Sequence, residues 1–200
     1  MFCSSAVLVR EGRKLLGVQI AEVSLFMDSS FVEEALAILT RTPAALDSLL
    51  RDLPGVWTSA TEGPGTWSPY EVIGHLIHGE RTDWIPRLLI ILEHGPSRSF
   101  DPFDREAQLH NADTRSMSAL LDEFKASRNG NVSRLRAMRL TAADLELSGT
   151  HPALGAVTVR QLLATWTAHD LAHILQITRV MAKRYRTEVG PWAQYLSIMK

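Results

Sequence analysis

The stretch that most constrains the fold is Thr158 to Tyr185, TVRQLLATWTAHDLAHILQITRVMAKRY. Apolar residues recur at Val159, Leu162, Leu163, Trp166, Ile177, Val180 and Met181, the period of one long amphipathic helix. Thr158 followed three residues later by Gln161 marks its start as a capping box. The gap in the apolar stripe is filled by His169 and His173. Four residues apart, they lie about 40° apart around the axis and about 6 Å apart along it. Two imidazoles on one inward face can reach a single metal ion, but they do not complete a site. A third ligand has to come from elsewhere in the chain.

The second helix offers it. Trp67-Ser68-Pro69-Tyr70-Glu71 is a clean helix start, with Ser68 as cap, Pro69 in the first turn and Glu71 closing the box. From there to about His94 the residues are apolar nearly all round, which marks a centrally packed helix, bent near Pro86. It carries His75 and His78. His75 adjoins the apolar stripe through Val72 and Leu76, whereas His78 lies further round beside Glu80 and Arg81, so His75 is the expected ligand. Taken singly, each histidine reads more simply as a hydrogen-bonded core or surface residue. Two core-facing histidines at four-residue spacing, with a third on a central helix, favour metal.

Two more helices complete the pattern. Residues 30–53 read as helix broken near Pro43, with Ser30 and Glu33 as a capping box, and Met117 to Met138 reads as helix capped by Ser116. Gly95 to Thr114 reads as a long polar loop, Thr141 to Asp144 as a helical turn, and Leu145 to Val157 as a turn or small hairpin. Gly190 to Leu196 reads as a short closing helix. The expected architecture is all-α: a four-helix bundle with long connections and a short C-terminal helix.

Residues 1–26 sit apart from this pattern. Their positive charges follow the first apolar run instead of preceding it, which does not suit a secretory signal. They are expected to be an appendage or a mis-assigned start, with the bundle domain covering residues 27–200. Cys3 is the single cysteine, which excludes an internal disulfide and a thiolate cluster and suits a reducing cytoplasm. A net charge of −1 with mixed signs argues against nucleic acid, and no apolar run is long enough for a membrane span. Homodimerisation is an expectation from the apolar helices.

WSPYEVIGHLIHGE followed by TVRQLLATWTAHDLAHILQI resembles the DinB-like (damage-inducible) superfamily, four-helix bundles related to thiol-dependent S-transferases and metal hydrolases. The resemblance runs from about Ser30 to the VGPWAQYL tail. It implies one divalent metal, zinc or nickel foremost, on His75, His169 and His173. It also implies a small-molecule substrate with a low-molecular-weight thiol as cosubstrate. Ile174 stands where many relatives carry a further histidine.

A three-histidine site leaves coordination positions open, as catalytic zinc sites do. Water acidified there, or a thiol held as thiolate, would be the nucleophile. Asp170, Glu80 and Asp83 are acid–base candidates, with a solvated helix face or an arginine partner as the plainer reading. Gln176, one turn past His173, is placed to hydrogen-bond an imidazole. In the 95–114 loop, Arg98, Arg105 and His110 are candidates for a substrate cover. HDLAH also resembles a zincin HExxH with a shortened acid, and His169-Asp170 an HD phosphohydrolase pair; both fit poorly. The non-enzyme alternative is a metal-stabilised stress or interaction protein. A polar, open surround of the metal would favour catalysis, and a plugged one structure.

Overall fold

The computed structural model describes residues 30–110 and 114–200. Four rods form the bundle. The first is α1 (residues 30–39) continued by α2 (Thr42–Leu50), followed by a single turn, α3 (Gly55–Thr58). The second is α4 (Pro69–Thr82) continued by α5 (Trp84–His94). A short α6 (Ala107–His110) precedes the third rod, α7 (Met117–Met138). After α8 (Ala142–Leu145) comes a two-stranded antiparallel hairpin, β1 (Ser148–His151) and β2 (Gly155–Thr158), and then the fourth rod, α9 (Val159–Lys183). The chain closes in short 3-10 helices at Gly190–Tyr195 and Ser197–Met199, where a short closing helix was expected. The expectation for residues 1–26 falls outside the described residues. No described helix is long and apolar enough to cross a membrane.

The helix starts are where the sequence chemistry puts them. Capping boxes close at Ser68 with Glu71, Thr141 with Asp144 and Thr158 with Gln161, and Ser116 caps α7 through the Ala119 amide. Ser30 departs from expectation. It is already helical, and its hydroxyl donates to Glu34, four residues on, instead of boxing with Glu33.

The two bent rods bend for a common reason. Pro43 sits in the first turn of α2 and has no N–H to give to the Leu39 carbonyl one turn back. In the second rod the break falls at Asp83, three residues before Pro86, because a proline is tolerated among the first residues of a helix, where amides lack intrahelical partners.

Leu39 and Leu36 at the end of α1 pack with Ile85, Leu88 and Ile91 of α5, Val132 and Leu135 of α7, and Leu162, Leu163 and Trp166 of α9. A second apolar cluster joins Leu46 and Leu50 of α2, Val72, Ile73 and Leu76 of α4, Leu121 and Phe124 of α7, and Ile177 of α9. Between these clusters lies a buried charged layer. Arg128 of α7 donates Nε and Nη2 to Glu80 Oε1 of α4 (3.0 and 2.8 Å) and Nη2 to Asp170 Oδ1 of α9 (2.8 Å). Its Nη1 donates to the Leu39 carbonyl that Pro43 leaves without a partner (3.0 Å). Asn131 and the Trp166 indole complete the shell of Glu80 (3.0 and 3.1 Å). The arginine and both carboxylates are wholly inaccessible to solvent.

The hairpin ties the end of α5 to the start of α9. Gly149 lies so close to Ile91 and Phe100 that a Cβ there would sit 2.8 Å from Ile91 Cγ1. Phe100 donates its amide to the Thr150 carbonyl (2.9 Å), extending the pairing by one bridge.

Removing the arginine from this layer would strand two buried carboxylates. Arg128→Ala is expected to lower unfolding free energy by about 3–5 kcal/mol, read from the urea midpoint. A change within about 0.5 kcal/mol, the scale of an ordinary surface substitution, would contradict the role given to this residue.

Candidate metal centre

His75 projects from the buried face of α4, and His169 and His173 from successive turns of α9. They meet at their Nε2 atoms. His169 Nε2 is 3.2 Å from His75 Nε2 and 3.1 Å from His173 Nε2. Two imidazole nitrogens on one tetrahedral zinc, at bond lengths of about 2.0–2.1 Å, stand about 3.3 Å apart. Among the described residues no other histidine, cysteine, aspartate or glutamate joins the group.

Acceptors outside the cluster set two of the tautomers. His75 Nδ1 donates to the Arg105 carbonyl (3.3 Å), and His173 Nδ1 donates to Gln176 Oε1 (2.9 Å). With the hydrogen held at Nδ1, both Nε2 lone pairs point inward, the arrangement that outer hydrogen bonds give to metal-binding histidines. His169 Nδ1 is buried without a partner. Three nitrogens crowded in this way, two of them necessarily bare, suit a cation at their centre.

Burial also keeps the rings neutral. It pushes His75 down to about 4 and His169 down to about 3, with the neighbouring imidazole of His173 adding to each shift. His173 is lowered too, again chiefly by burial, with the Gln176 hydrogen bond acting in the opposite direction. Neutral imidazole is the form that binds metal. The cage around them is aromatic. Trp67 packs on His75 and stacks with His173 (4.9 and 6.5 Å between centroids), Phe103 meets His75 edge-on (5.6 Å), and Trp84 meets His169 edge-on (5.1 Å).

Of the three histidines, His173 borders a cleft. A cleft of about 420 Å³ is walled by His173, Gln176, Arg179, Trp67, Thr66, Glu62, Arg105 and Glu106. A second cleft of about 450 Å³ is lined by Tyr70, Gly74, His78 and Gln108, and none of the three histidines reaches it. His78 packs on Phe103 (5.0 Å) and stays outside the cluster.

The acid–base candidates Glu80, Asp170 and Asp83 all have arginine partners. Glu80 and Asp170 take the plainer reading of arginine partners, and they are buried, not solvated. Asp170 is therefore unavailable as the acid of a zincin-like or HD-type site. Asp83 lies 2.5 Å from Arg87 Nε, away from the cleft, and burial raises it to about 6. In the 95–114 loop Arg105 reaches the cleft, whereas His110 pairs with Asp104 (3.2 Å) and Arg98 lines neither cleft. Trp67 and Phe103 were not foreseen as site residues. Trp67 stands just before a helix start, and only the fold folds it back onto the imidazoles.

Comparison with known families settles the lineage. The family model described as the DinB superfamily matches residues 38–177. The chain belongs to the DinB superfamily. Among solved structures, this DinB protein is similar to YfiT from Bacillus subtilis, at 20% identity and a TM-score of 0.66 over 76% of this chain and 87% of that one. That protein is described as a probable metal-dependent hydrolase with an unusual four-helix bundle topology. A DinB-like protein from Bacillus cereus is similar over 76% of this chain and 90% of that one, at 19% identity and a TM-score of 0.48. Comparison with curated protein sequences finds no match.

Histidines held neutral in the fold make the metal-free protein acid-sensitive. Between pH 6.5, where the unfolded chain begins to take up protons, and about 4, where His75 follows in the folded state, stability falls with pH. Each such histidine contributes up to ~1.4 kcal/mol per pH unit in that window. Melting of chelator-treated protein should show this slope, and His169→Asn should flatten it. An equal slope in the variant would contradict the assignment.

Proposed function

We propose that this protein is a metal-dependent enzyme in which His75, His169 and His173 hold one divalent ion, zinc or nickel foremost, and that it acts hydrolytically on a small molecule. The observation that carries the reading is the convergence of three imidazole Nε2 atoms, with His173 on the wall of an open cleft. The donor set fits such an ion: three neutral imidazoles, two with Nδ1 engaged outward. The description of YfiT supports the same reading from a protein of similar fold.

His75, His169 and His173 would hold the ion, which would supply Lewis acidity toward water or substrate. The protein's own groups do the remaining work. Gln176 and the Arg105 carbonyl orient the His173 and His75 rings, so a substrate meets a fixed donor set. Trp67 and Phe103 cover those rings with apolar surface and limit bulk water to the cleft side. Glu62 is anchored by Arg179 (2.5 Å) and Lys183 (3.1 Å), which stiffens the far wall. Glu106 is the carboxylate on the wall with no ion-pair partner among the described residues, which makes it the candidate proton acceptor.

A structural ion would be enclosed by four protein ligands. Here the described residues supply three, and His173 borders an open cleft that carries Glu62, Arg105, Glu106 and Gln176, which favours catalysis over the non-catalytic alternative. A low-molecular-weight thiol in place of water is the same chemistry with another nucleophile.

The test is hydrolysis of p-nitrophenyl acetate and p-nitrophenyl phosphate by metal-loaded protein, with and without an added thiol. Turnover should disappear on chelation, return with zinc or nickel, and be lost in His173→Ala; a thiol that accelerates consumption of ester marks transfer. Turnover indifferent to chelation and to the substitution would overturn the proposal.

A further inference from the structure

Arg105 is held beside the three histidines by backbone and neighbours. Its carbonyl accepts from His75 (3.3 Å), and Phe103, two residues earlier, packs on His75 and His78. Downstream, Gln108 presses onto α4 at Gly74, where an added Cβ would lie 3.0 Å from Gln108 Cβ. The segment bearing Arg105 is thus seated against the helix that carries His75. Arg105 lines the cleft together with His173 and Gln176.

Its charge has no partner among the described residues. The other cation on the cleft wall, Arg179, is committed to Glu62, which also holds Lys183. Among the described residues no carboxylate pairs with Arg105, and its charge is felt at all three imidazoles, where it opposes protonation. A lone guanidinium near a cation site repels the ion it accompanies. Arg105 is exposed on the cleft side and solvated there, and an anion placed between its guanidinium and the ion would be attracted by both. Glu106, on the same wall, biases that anion toward the Arg105 side by repulsion.

We infer that Arg105 binds an anionic oxo group of the substrate, a carboxylate or a phosphate, and holds it between its guanidinium and the open side of the three-histidine centre. The inference rests on the metal reading above and adds the substrate's charge class to it. The fork of a guanidinium matches two oxygens of either group.

The experiment uses untagged full-length protein loaded with cobalt(II), whose visible absorption reports ligands at the metal. Acetate and inorganic phosphate are titrated separately at constant ionic strength, with acetamide as the neutral probe. Arg105→Gln should weaken binding of the preferred anion about tenfold to a hundredfold. The anion-free cobalt spectrum and the acetamide response should be unchanged, since the carbonyl that holds His75 belongs to the backbone. Glu106→Gln should shift anion affinity the opposite way. The probe with the larger loss identifies carboxylate or phosphate as the group recognised. Equal anion affinities in the wild type and Arg105→Gln would overturn the inference while leaving the metal centre standing. A wild-type protein without cobalt bands would overturn the metal reading, and this inference with it.

Discussion

The structure depends on one buried guanidinium. Arg128 reaches three other rods of the bundle: Glu80 on α4, Asp170 on α9 and the carbonyl that Pro43 orphans at the end of α1. An ion pair in such a place is weak evidence for added stability, because desolvating the charges costs several kcal/mol per ion. Its value here is positional. The fork geometry of arginine allows one register between α4 and α9, and those are the helices that carry His75, His169 and His173. Apolar side chains above and below would tolerate some sliding of one rod past another, whereas this layer does not.

The same two helices therefore present two faces with opposite chemistry within one turn. Asp170 turns inward to Arg128, while its neighbour His169 turns to the imidazole cluster. Glu80 lies little more than one turn beyond His75 on α4. Charge is satisfied in the dry layer, and neutral donors are left at the cleft. Burial lowers the histidines out of their usual range, so the cluster meets a cation with lone pairs instead of protons. Aromatic rings shield it on the flanks, and His173 borders an open cleft with Glu62, Arg105, Glu106 and Gln176.

Much of this was legible in the chain. Capping boxes at Ser68, Thr141 and Thr158 are local chemistry, and the helices they start stand where they mark them. The four-residue spacing of His169 and His173 fixes their common face whatever else the chain does. Other features depend on long-range packing that no window of sequence contains. The second rod breaks at Asp83 and not at Pro86, because a proline suits the opening turn of a helix as well as its end. Which arginine would pair with Asp170 could not be read locally, because that partner lies 42 residues away. A signal for that partner was present: Arg128 falls four residues after Phe124 and four before Val132, in the middle of the apolar stripe of α7. A charge in that position demands a buried counter-charge. Arg105, by contrast, sits in a polar loop where only the folded contacts separate it from Arg98.

The account's central claim is that the three imidazoles hold one metal ion. Plasma mass spectrometry of untagged protein, beside His169→Ala and His173→Ala, tests it most directly. The account predicts close to one equivalent of zinc or nickel in the wild type, lost in both variants while their helical circular dichroism persists. A wild type without metal, and with melting unchanged by added zinc or nickel, would reduce the three histidines to ordinary residues of the bundle and contradict the account.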